Sequence, residues 1–180
     1  MTNPNFDPIS QRGEQEQRRN PEGLREIDRP IASLIILSSD GKLLMGKKDP
    51  AKGGVYPNAW HIPGGGTEEG ETLEGAARRE GLEEVGIDLS KYDIVPSPFI
   101  GHGESAKTLS SGERVWVNMT FNRFKVRLDQ PADEVELSPN DDLVELRWFT
   151  PEELEGVEQI PGGREFFILE GYMKGESDPQ

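Results

Sequence analysis

Three carboxylates, Glu80, Glu83 and Glu84, follow a run of three glycines, Gly64-Gly65-Gly66, inside the stretch WHIPGGGTEEGETLEGAARREGLEEVGI, which runs from Trp60 to Ile87. On a helix stepping about 100° per residue, with Glu80 as origin, Glu83 falls near −60° and Glu84 near +40°, so the three share one face. Leu73, Ala76 and Ala77 lie in the same arc. A face that begins apolar and turns acidic is unlike a fully solvated surface. Leu82 and Val85 point the other way, which predicts a helix covered on two sides.

Carboxylates this close repel one another, by on the order of a few kcal/mol per pair at about 4–6 Å and an effective dielectric near 20. Arg79 can reach Glu83 one turn away, but one arginine does not neutralise three acids. A divalent cation does. Oxygen donors suit Mg²⁺, or Mn²⁺, and a chain with no cysteine and two histidines argues against zinc. Glycines at Gly64 and Gly65 would let a backbone carbonyl approach such an ion without a side chain in the way. The alternative is an ordinary acidic helix whose charges face water.

Several elements must position these groups. Thr72 and Gly86 read as the caps of a helix over Leu73–Val85. WHIP reads as a short strand feeding the glycines. Upstream, the apolar runs 31–37 and 43–45 flank Ser-Asp-Gly, a hairpin signal. Downstream, YDIVPSPFIG reads as a strand bent by its prolines and HGESAKTLSSGE as a polar loop. RVWVNMTFNRFKVRL reads as a long strand with a bulge near Asn122-Arg123, because its apolar phase slips by one there. LVELRWF is a further strand, Thr150-Pro151 opens a short helix, and GREFFILEGYMKG is a final helix. The order predicts a mixed α/β domain in layers over residues 30–175. A polar N-terminal tail or arm over 1–29 precedes it and a tail over 176–180 follows.

Gly65, Glu71, Arg79-Glu80, Glu83-Glu84 and Gly86-Ile87, at these spacings, resemble the Nudix box of the Nudix hydrolases, and RWFTPEEL is similar to the family's later strand-helix junction. The resemblance implies an α/β/α sandwich around a mixed β-sheet. It also implies Mg²⁺-dependent hydrolysis of a nucleoside diphosphate linked to another group, as in a nucleoside triphosphate, a nucleotide sugar or ADP-ribose. It makes Glu80, Glu83 and Glu84 metal ligands, with one of the latter two helping to activate water. Gly64 or Gly65 would supply a carbonyl, and Arg79 and Glu71 would brace the loop against the helix. A further carboxylate would come from the loop before LRWF, with Asp142 ahead of Asp141 and Glu145. The other class open to such a chain is a non-catalytic nucleotide-binding module. Such modules typically lose box carboxylates, and all are present here. One position departs: Gly81 stands where the family usually has an apolar or small residue. Glycine inside a helix is less favourable than alanine by about 1 kcal/mol, so Gly81→Ala is expected to stabilise the helix.

Lys47 and Lys48, just upstream of the glycines, are candidates to hold phosphate, and Trp60 either stacks on a base or packs in the core. Lys107 and Arg114 are further candidates to grip substrate. The net charge of −14 disfavours a polynucleotide partner and favours a small nucleotide bound through cations. The N-terminus carries no apolar targeting segment and no run of about 18 apolar residues exists, so a cytoplasmic protein with no membrane partner is expected. An N-terminal arm exchanged in a homodimer is one role for the first 29 residues.

Overall fold

The computed structural model describes residues 20, 22–52, 59–140 and 143–175. Apolar residues on both faces of β1 (Arg25–Leu37) make it the centre of the fold. Ala32, Leu34 and Ile36 point to one side and Ile35 and Leu37 to the other, and the two sets belong to two separate cores. A strand buried on both faces must be covered by a layer on each side. The remaining described strands and α-helices are β2 (Leu43–Lys48), β3 (Trp60–His61), β4 (Gly64–Gly66), α1 (Leu73–Val85), β5 (Val95–Pro96), β6 (Gly101–Thr108), β7 (Arg114–Arg127), β8 (Leu143–Phe149), α2 (Pro151–Leu154) and α3 (Gly163–Leu169).

The strands form one mixed sheet of eight, with the path β3-β2-β1-β7-β5; β4 pairs with β1, β6 with β7 and β8 with β2. β1 and β7 run parallel, and the other pairings are antiparallel. On one face, Ala76, Ala77 and Val85 of α1 pack against Leu34, Ile36, Phe124 and Val126. On the other, Phe166 and Phe167 of α3 and Leu154 of α2 pack against Ile35, Met45, Trp60 and Phe149. This is the expected α/β/α sandwich. None of the described helices is long and apolar enough to cross a membrane.

Four expectations change. β1 begins at Arg25, so five residues read as tail are paired strand, from Arg25 opposite Val115 to Arg29 opposite Met119. Residues 1–19, 21 and 176–180 lie outside the described residues, and most of the expected N-terminal arm with them. The bulge at Asn122-Arg123 is not there: β7 keeps one register against β1 up to Leu37 opposite Arg127. Its buried residues nonetheless switch parity, from Val115 and Val117 to Phe124 and Val126. The buried face changes sides along the strand, so the slipped pattern needs no extra residue.

Of the segment read as a polar loop, residues 109–113 form the turn and His102–Thr108 belongs to strand β6, paired residue for residue with Arg114–Phe121. Its side chains did not announce it, because ladder hydrogen bonds to β7 hold it and its exposed positions need no apolar residue. Finally, YDIVPSPFIG contributes only the two residues of β5, Val95 and Pro96, and Gly101, the first of β6. Proline has no N–H to donate to a ladder, which limits how far strand pairing can extend there.

Candidate active site

The site is built where β4 meets α1. The Thr72 hydroxyl accepts from the Gly75 N–H at 3.0 Å and caps the helix. Gly86, at φ 80°, ends it with its N–H turned back to Gly81 and Leu82 carbonyls. β4 lies along β1, with Gly64 opposite Ser33 and Gly66 opposite Ile31. Gly64 has φ 147°, and a Cβ there would come within 2.3 Å of the Ala32 carbonyl oxygen, so no other residue fits. A Cβ on Gly65 would sit 2.2 Å from Glu80 Oε1. The missing side chain is what lets the glycine backbone and the helix carboxylate touch.

Glu80 and Glu84 are buried, at 7% and 3% exposure, whereas the Glu83 side chain is 55% exposed. Glu84 Oε2 accepts from the Gly64 N–H at 2.7 Å, and the carbonyl of Pro63 accepts from the Leu34 N–H at 2.8 Å. The Pro63–Gly64 peptide is therefore held at both ends, by the helix and by the sheet.

Arg79 ties the rest together. Nε and Nη2 grip Glu71 Oε1 and Oε2, both at 3.0 Å, Nη1 donates to Glu80 at 2.8 Å and Glu83 at 3.0 Å, and Nη2 also donates to the Gly66 carbonyl at 3.0 Å. The forked contact with Arg79, then the Glu68 N–H, holds the Glu71 carboxyl below the usual carboxylate range. Arg79 is raised in turn, chiefly by Glu71. Besides Glu83 one turn away and Glu71 in the loop, Arg79 bonds Glu80, because its fork lies between the helix and the loop.

Among the described residues, no three His, Asp or Glu side chains converge as a ready-made metal cluster. The donor chemistry still fits a hard divalent cation. Glu80, Glu83 and Glu84 present carboxylate oxygens from one helix, and the backbone of Gly64-Gly65 lies against two of them. Asp142 and Asp141 lie outside the described residues. Just before them, the Asn140 N–H donates to the Glu84 backbone carbonyl at 3.2 Å. Glu145 sits elsewhere, on β8, 3.9 Å from Lys47 Nζ.

Lys47 is also 5.1 Å from the Trp60 ring centre, since β2 pairs the two residues. Trp60 itself is 7% exposed and meets Phe149 edge to face at 4.9 Å. Of the two places open to Trp60, at a base or in the core, the structure shows the core. Lys48 is half-buried opposite Leu143, next to the register shift in the β2–β8 pairing. Arg114 pairs with Glu22 at 3.0 Å, and Lys107 is exposed on β6. Leu82 is exposed at 56%, so α1 is covered on one side and not two. Sequence reasoning missed Arg29, which was read as tail: a Cβ on Gly66 would lie 2.5 Å from its Nε.

The NUDIX domain model matches residues 28–167. Nucleoside triphosphatase NudI of Salmonella agona (strain SL483) is 31% identical over 138 residues, covering 77% of this chain and 94% of that protein. Among solved structures, the E. coli dihydroneopterin triphosphate pyrophosphohydrolase superposes with a TM-score of 0.59 at 20% identity, over 78% of this chain and 92% of that one. A Nudix hydrolase from M. smegmatis, RenU, does so with a TM-score of 0.54 at 20% identity, over 76% and 80%. At these identities the structural likeness is one of fold.

Proposed function

This chain belongs to the NUDIX domain family, and from that premise we propose that it hydrolyses a diphosphate linkage in a small nucleotide, a nucleoside triphosphate first, with Mg²⁺ or Mn²⁺ as cofactor. The observation that carries the reading is the intact set of Glu80, Glu83 and Glu84 on one helix, held against a glycine strand through Gly64 N–H and Arg79. The similarity to a nucleoside triphosphatase over most of both chains supports a triphosphate as the first substrate to try.

Glu80, Glu83 and Glu84 would hold the cation together with a Gly64 or Gly65 carbonyl, with Asp142 as the further carboxylate. A bound divalent ion would neutralise phosphate charge and lower the pKa of an attacking water. The protein's own part is positioning. Glu84 and Leu34 fix the Pro63–Gly64 peptide, and Arg79 locks the Glu71 loop to the helix, so the donors are set before substrate arrives. Glu83, the exposed member of the three, is the carboxylate assigned to take the proton of the attacking water. Hydrolysis between the α- and β-phosphates leaves a nucleoside monophosphate and pyrophosphate.

The test is a panel of nucleoside triphosphates, ADP-ribose, nucleotide sugars and capped RNA at equal concentration, with Mg²⁺, Mn²⁺ or EDTA, and with products identified. Turnover of a small nucleotide, abolished by EDTA and restored by Mg²⁺, is expected. Turnover of capped RNA alone, or tight nucleotide binding with no turnover, would overturn the reading.

A further inference from the structure

Arg29 has a place in the site that its sequence position hides. It is the fifth residue of β1, opposite Met119 of β7, and its side chain is thrown across to β4. The position a Cβ of Gly66 would take is 2.5 Å from Arg29 Nε and 2.7 Å from Nη2. The guanidinium therefore fills the side-chain space of Gly66, and the third glycine is what admits it. Along a strand successive side chains point to opposite faces. Gly65 turns toward Glu80 and Gly66 toward Arg29, so β4 carries the acidic cluster on one face and a cation on the other. Among the described residues β4 pairs with β1 alone, and α1 meets its other edge through Glu84 at the Gly64 N–H and Arg79 at the Gly66 carbonyl, so Arg29 stands across a single strand from the acidic cluster.

The state of the neighbouring cations makes this useful. Arg79 spends its donors on Glu71, Glu80, Glu83 and the Gly66 carbonyl. Lys47 stands near Glu145 and the Trp60 ring. Arg29 is exposed and has no acidic partner among the described residues, in a chain of net charge −14. A long-range field of that sign repels a polyphosphate, so binding needs a cation placed locally. A planar guanidinium matches phosphate oxygens two at a time.

The geometry points to Arg29 as a substrate-binding residue that takes the phosphates lying beyond those at the carboxylate face. This rests on the phosphate-chain substrate proposed above, and the experiment separates the two. Titrate inorganic tripolyphosphate and orthophosphate, with Mg²⁺ present, into the full-length protein and its Arg29→Lys and Arg29→Gln variants by calorimetry. Compare melting temperatures and measure KM and kcat on the best nucleotide. Arg29→Gln is expected to weaken tripolyphosphate binding roughly tenfold or more, with a smaller effect on orthophosphate. Arg29→Lys, which keeps the charge and loses the fork, should fall between. KM should rise more than kcat falls, with the melting temperature unchanged.

Equal tripolyphosphate affinity in the parent and Arg29→Gln, or no binding to the parent, overturns the assignment even if nucleotides are hydrolysed. Arg29-dependent tripolyphosphate binding with no hydrolysis of any nucleotide would sink the proposed reaction and leave this assignment standing.

Discussion

Arg79 uses all the donors of its guanidinium on a single junction, two on Glu71 and the rest on Glu80, Glu83 and the Gly66 carbonyl. Lysine has the charge but not the fork. Arg79→Lys is expected to lose at least tenfold in kcat/KM and to lower the melting temperature, because Glu71 and the Gly66 carbonyl lose a common partner; an unchanged rate would mean the loop holds itself. Glu83→Gln keeps the shape and an acceptor for Arg79 but removes the negative charge and the base. Turnover should fall by about a hundredfold or more if it takes the proton of water, with a far-UV spectrum like the parent's. A variant as active as the parent would remove Glu83 from the chemistry. The shared face of Glu80, Glu83 and Glu84 was legible in the sequence because it depends on spacing along one helix. The place of Arg29 was not, because its approach to Gly66 is made between strands that are joined only in the folded sheet.

At the level of elements, α1 was readable to the residue, since Thr72 and Gly86 cap it as their types suggest. Its packing was not. Gly81 is buried, and a Cβ there would lie 2.6 Å from Leu89 Cδ1 and 3.2 Å from Leu34 Cδ1. Both leucines belong to the buried core and have little room to move. The overpacking penalty, about 1–3 kcal/mol, matches or exceeds the gain of about 1 kcal/mol from removing a helical glycine. Gly81→Ala is therefore expected to lower the melting temperature, opposite to what helix propensity alone predicts; a rise would show that Leu89 repacks freely. The β1–β2 turn carries its own test. Asp40 is pushed down to about 2, chiefly by the Ser38 hydroxyl and then by the Ala132 N–H, which donates at 2.9 Å. A folded pKa below the unfolded value of about 3.9 stabilises the fold above that pH, and the contribution is lost as pH falls toward 2. The difference in melting temperature between parent and Asp40→Ala should shrink from pH 5 to pH 2. A constant difference would assign the loss to packing.

For the molecule as a whole, the layered architecture was legible from the order of strands and helices, whereas the extent of the central sheet was not. Polar Arg25–Arg29 and polar β6 flank β7 on its two edges, and neither has the apolar alternation that marks a half-buried strand. Two truncations separate tail from sheet. Removal of residues 1–19 should leave the melting temperature and activity near those of the full chain. Removal of residues 1–29 strips β7 of its pairing from Val115 to Met119 and deletes Arg29. It should lower the melting temperature and weaken phosphate binding together. If the shorter truncation alone abolishes activity, an arm exchanged between two subunits becomes the better account of those residues.

The parallel register of β1 and β7 also sets a schedule for synthesis. Each β1 residue waits for a partner ninety positions later in the chain. At about 5–20 residues per second, that is an interval of roughly 5–20 s on the ribosome. During it, the Ile31–Leu37 segment has its antiparallel neighbours β2 and β4 on one side and nothing on the other. A chain arrested before Arg114 presents that bare apolar edge to chaperones and to other nascent chains.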